Sequence, residues 1–101
     1  MSDLYVLKDG LPIPEDDSLA WSLWFETADR RVALTKMGDV EVSTVFLGID
    51  HSFGGGPPLL YETLVFGGPL DGEMERYSTL QEAEAGHQRM VARVSGEVVH
   101  G

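Results

Sequence analysis

Residues 42–68 read VSTVFLGID, then HSFGGGPP, then LLYETLVFGG. Two apolar runs, rich in β-branched and aromatic residues, flank a connection holding three consecutive glycines, two prolines, an aspartate and a histidine. The pattern predicts two strands, 40–49 and 59–66, joined by a loop of about nine residues, where an ordinary hairpin uses two to five. In the first strand Val40, Val42, Thr44 and Phe46 share one face by the period of two. On the other face Glu41 and Ser43 are polar while Val45, Leu47 and Ile49 are not. The strand is therefore expected to be covered on one side in its first half and on both in its second. A long loop braced by prolines is a favoured place for a binding surface, and Asp50, His51, Phe53, Gly54, Gly55 and Gly56 are its candidate binding residues.

The elements on either side follow from local chemistry. Residues 4–8 read as a strand closed by Asp9-Gly10. Leu11-Pro12-Ile13-Pro14 cannot be helix interior, because proline lacks the amide donor. Asp17 or Ser18 can cap a helix that carries Trp21, Trp24, Phe25 and Ala28 at i, i+3, i+4 and i+7, with Leu19 and Leu23 widening the stripe. Arg30 and Arg31 are placed at its negative end. A strand over 31–36, a tight turn at Met37-Gly38-Asp39, and a turn at 67–72 ending in Asp71-Gly72 come next. A polar strand over 73–77 suits a sheet edge. The last helix opens on a capping box, Ser78 with Gln81 or Thr79 with Glu82. It lines up Leu80, Ala83, His87, Met90 or Val91, and Val94, and closes at Ser95-Gly96. The order is β-α-β-β-β-β-α. The expected fold is α+β: one domain over 1–101, an antiparallel sheet of four to five strands, two helices packed on one face, and residues 96–101 as a tail.

Composition bounds the function. The chain has 101 residues and a net charge of −10, from 17 acidic and 7 basic residues. Such a surface repels phosphate backbones and anionic lipid, so direct nucleic-acid or membrane binding is disfavoured and a protein partner with a basic surface is favoured. Acidity also serves solubility alone. With no cysteine, disulfides, thiol catalysis and cysteine-ligated metal are excluded, and a cytoplasmic setting is expected. No apolar run reaches membrane-spanning length, and the first residues lack the basic and apolar regions of a signal peptide.

Three constellations touch on chemistry. Asp50-His51-Ser52 holds the residue types of a hydrolase triad, but neighbours in extended chain point apart, and turns select the same residues for backbone reasons. Glu84 and His87 form E-x-x-H on the last helix and, with His51, give a weak candidate metal set; the competing reading buries His87 on an apolar helix face. The triple glycine matches no phosphate-binding motif. No cofactor is expected. Three acidic clusters, Glu15-Asp16-Asp17, Asp71/Glu73/Glu75 and Glu82/Glu84, would imitate a nucleic-acid strand if they converged.

The stretch from Trp24 to His87 resembles a family of small phage- and prophage-encoded proteins with no established activity. The resemblance covers about two thirds of the chain and rests on Trp24-Phe25-Glu26, VSTVFLG at 42–48, Asp50-His51, Phe53-Gly54, Glu62-Thr63 and residues 77–87. It carries over no catalytic residue. It implies a phage-type setting, in which small acidic proteins block host enzymes or defence systems. The resulting expectation is an accessory protein acting by protein binding, anti-CRISPR-like in style. The alternatives are a small-ligand or metal-binding protein or minor metalloenzyme using His51, Glu84 and His87, and a structural role such as a homodimer pairing edge strands.

Overall fold

The computed structural model describes residues 3–52 and 54–100, the last four by backbone alone. Its elements are β1 (Tyr5–Lys8), β2 (Leu11–Pro14), α1 (Ser18–Thr27), β3 (Arg31–Met37), β4 (Val40–Phe46), β5 (Tyr61–Phe66), β6 (Met74–Tyr77) and α2 (Leu80–His100). The class is α+β, built on a four-stranded antiparallel sheet in the order β3-β4-β5-β6. The polar β6 is at an edge, as its charges require.

The first strand has a partner that the sequence did not announce. Asp9 and Gly10, at φ 53° and 79°, close a two-residue turn, and residues 11–14 return antiparallel to β1 as a separate two-stranded sheet. Prolines argue against a strand because they cannot donate to a ladder, but among the described residues β2 has a free edge, on which Pro12 and Pro14 lose nothing. Asp17 caps α1, its Oδ1 accepting from the amides of Leu19 and Ala20 at 3.0 and 3.3 Å. This helix lies against β1, and reaches the main sheet through Trp24, whose ring meets Phe46 edge-on at 6.0 Å. Leu19 and Leu23 do not widen a buried stripe; both stay exposed. Nor does Arg30 sit on the last turn. The helix ends at Thr27, and Arg30 stacks over Phe25 at 3.8 Å and donates to the Phe46 carbonyl at 3.0 Å.

One face of the four-stranded sheet is covered by α2. Thr79 and Glu82 form the capping box, the Glu82 amide donating to Thr79 Oγ1 and the Thr79 amide to Glu82 Oε1. Met90 and Val94 bury against Val40, Val42 and Val65, while Ala83 closes over Phe46, Leu60, Tyr61 and Tyr77. Each large apolar side chain so buried contributes roughly 1.5–3 kcal/mol. Leu80, expected on this face, is exposed, and the backbone stays helical past Ser95-Gly96 to His100. An internal glycine, Gly86, lies where Tyr77 crosses the helix; a Cβ there would overlap the tyrosine ring and hydroxyl.

The opposite face corrects the reading of β4. Glu41, Ser43 and Val45 point to a side over which, among the described residues, no helix or strand lies, so the second half of the strand is not covered twice. The strand also stops at Phe46 and not at 49. Gly48 turns the chain at φ 78°, and its site for a Cβ is 3.4 Å from the Trp21 indole. No helix among the described residues is long and apolar enough to cross a membrane.

Candidate functional site: the loop between β4 and β5 and its acidic cleft

The loop is organised by one carboxylate. Asp50 Oδ1 accepts from the amides of Ser52 at 2.8 Å and Leu59 at 2.9 Å, so it clasps the entry and the exit of the loop together. The His51 amide donates to the Leu59 carbonyl at 3.1 Å, and the Asp50 amide donates to the Asp3 carbonyl at 2.8 Å. The hydrogen bond from the Ser52 amide is the largest influence on Asp50. With that from Leu59 and the nearby His51, it outweighs burial and lowers the carboxyl below its ordinary value. The group is a structural anion first. That the loop needs an aspartate here was legible as turn chemistry; that it spans nine residues to Leu59 was not.

Gly54, Gly55 and Gly56 are exposed at φ 69°, 89° and 96°, with nothing within 4 Å of the position of a Cβ. They are glycines for the left-handed backbone and not for a close neighbour. His51 is half-buried. Phe53, another candidate binding residue, lies outside the described residues.

Beside this loop, facing the β1-β2 hairpin, is a cleft of about 420 Å³ lined by Asp3, Tyr5, Pro14, Asp16, Asp50, Gly56 and Pro58. Its lining brings together three aspartates from three separate parts of the chain. Sequence reading placed Asp16 in a helix-start cluster and gave Asp3 no role, because nothing local says that the hairpin folds back beside residue 50. A concave, acid-lined space focuses negative potential. It suits a guanidinium or ammonium group, which a carboxylate binds by charge-assisted hydrogen bonds.

Four carboxylates of the other two acidic clusters are engaged with partners of their own. Asp71 Oδ1 holds the Gly67 amide, Glu73 pairs with Arg93 at 2.8 Å, Glu75 stands 3.9 Å from Arg89, and Glu82 belongs to the helix cap.

The candidate metal set is not assembled. His87 is buried between two threonines, with Nε2 2.9 Å from Thr35 Oγ1 and Nδ1 2.7 Å from Thr44 Oγ1. Thr44 in turn bonds Thr63, and the Tyr77 hydroxyl lies 3.2 Å from Thr63 Oγ1 and 2.9 Å from Glu75 Oε1. Both ring nitrogens are thus engaged within the core, and burial lowers the imidazole below its ordinary value, so it is held neutral. Glu84 is exposed on α2, and no three metal-ligating side chains stand together among the described residues. The competing reading of His87, a satisfied core histidine, is the one the geometry supports. No family model matches the chain, and neither does any curated protein or solved structure.

Proposed function

We propose that this chain is a small acidic accessory protein of phage type that works in the host cytoplasm by binding a protein with a basic surface. In this reading it inhibits a host nucleic-acid-handling or defence machine, in the style of an anti-CRISPR. The observation that carries it is the cleft in which Asp3, Asp16 and Asp50 meet beside the glycine loop, in a chain of net charge −10. A surface that normally holds nucleic acid presents arginines and lysines, and an acid-lined cleft takes such side chains as phosphate does. The neck of the loop, at residues 50–52 and 59, keeps its shape through its own hydrogen bonds, so little ordering entropy opposes a contact there. The metal-ligand alternative draws no such support, since His87 is spent on Thr35 and Thr44.

The test is capture from host lysate on immobilised protein at low ionic strength, where exposed charge pairs are least screened. A captured protein that salt releases, and that Asp3→Lys with Asp16→Lys no longer holds, is the expected result. Asp50 is left intact because it clasps the loop. An empty capture at low salt overturns the proposal, and capture indifferent to both substitutions removes the cleft from it.

A further inference from the structure

The face of the four-stranded sheet turned away from α2 has a definite make-up. Pairing across the strands puts Leu34, Ser43, Leu64 and Met74 in one row through its middle. Phe66, opposite Glu41, and Val45, opposite Glu62, extend the apolar surface on either side. Phe66, Met74 and Leu34 are 47%, 45% and 40% exposed. Apolar side chains grouped in this way on an otherwise charged protein mark a contact surface.

The charge on this face differs from that elsewhere. Its ionised groups are Lys36 with Glu41, at 3.6 Å, Arg76 with Glu62, at 3.0 Å, and Arg31, opposite Val45 at the start of β3. Three of the chain's 7 basic and two of its 17 acidic residues therefore lie here, and the remaining 4 against 15 put −11 on the rest of the molecule. Two copies, each strongly negative over the rest of the molecule, repel least when they approach through this face. On this face they meet balanced, salt-bridged pairs and an apolar row.

We propose that the open sheet face is a self-association surface, on which a second copy of this chain packs sheet against sheet. The extent of the face sets the strength. Four strands about 4.8 Å apart, of seven, seven, six and four residues at about 3.4 Å each, give a plane of roughly 400 Å² per copy. That is about half the share of a standard interface. An interface this small belongs with weak, transient contacts, so the dimer forms at high local concentration, and a dissociation constant on the order of 100 µM is the value to be tested. This inference does not rest on the acidic cleft, and either can fail without the other.

Sedimentation of the untagged full chain from about 10 µM to about 1 mM, bracketing that constant, reads the association directly. Expected is a shift from monomer to dimer across this range. Phe66→Glu with Met74→Glu, folded by circular dichroism, remains monomeric throughout, while Leu19→Glu with Leu23→Glu on α1 dimerises as the parent does. Amide shifts followed with concentration in the unaltered protein need no variant; they are expected to move in β3 to β6 and to stay still in α1 and at residues 54–56. A monomer at every concentration overturns the proposal, as does a dimer that survives the two glutamates on the sheet face or moves the α1 amides instead.

Discussion

Gly86 and His87 are adjacent on α2, and each is dictated by what it faces. At an ordinary helix position, Gly→Ala stabilises by about 1 kcal/mol. At Gly86 the added methyl meets the Tyr77 ring, which the strand below holds in place. Gly86→Ala is expected to destabilise by about 1–3 kcal/mol, the range for overpacking, read as a lower urea midpoint at unchanged slope; a raised midpoint sinks this account of Tyr77. His87 makes stability depend on pH. Its imidazole takes a proton below the ordinary 6.5 in the folded chain, because burial penalises the charge, and near 6.5 when unfolded. Between those values the unfolded state binds more protons, so stability rises with pH through that window and is lost on acidification. Asp50 contributes only lower down, as the pH falls below its ordinary 3.8. The unfolding midpoint of the parent is therefore expected to fall between pH 7 and pH 5, and that of His87→Gln to fall less; equal slopes refute the assignment. The helical position of His87 was legible from its spacing with Ala83 and Val94. The need for Gly86 was not, since it arises from a ring nine residues earlier in sequence.

At the scale of elements, β4, β5 and α2 were legible because their burial repeats every two residues or every three to four. The hairpin and α1 were harder for a physical reason. They form a small unit that leans on the end of the sheet, so their apolar residues are only partly covered, and periodicity overstated what Leu19 and Leu23 bury. One side chain ties this unit down. The Trp21 indole N–H donates to both the Tyr5 and Gly48 carbonyls at 3.0 Å, and the Tyr5 amide donates to Gly48 at 2.8 Å. Trp21→Phe removes the shared donor and is expected to cost about 1–2 kcal/mol. Hydrogen exchange separates local from global effects: the Tyr5 and Asp50 amides are expected to exchange faster while Val42 and Val65 stay protected. Uniform acceleration across the sheet would show that the hairpin unit does not open by itself.

The whole molecule is elongated, 48 × 30 × 21 Å, and carries −10. Like charges spread over so small a body repel within about one Debye length, and salt screens them. The melting temperature is expected to rise as sodium chloride goes from about 10 to about 150 mM, where the Debye length falls from roughly 30 to 8 Å; a fall would mean that the pairs Glu73–Arg93 and Glu62–Arg76 outweigh the repulsion. The overall charge was legible from composition. Where it gathers was not, because Asp3, Asp16 and Asp50 meet only through the tertiary fold.

The clasp at Asp50 has one more consequence. Since it fastens the neck of the loop from inside, the three glycines beyond it bear no part of the frame. Doubling a free segment costs only about 0.6 kcal/mol. Foreign peptide spliced between Gly54 and Gly56 would be displayed at the cleft's rim with the sheet undisturbed, which makes this crest the place where the molecule can acquire a new specificity at least expense to its own folding.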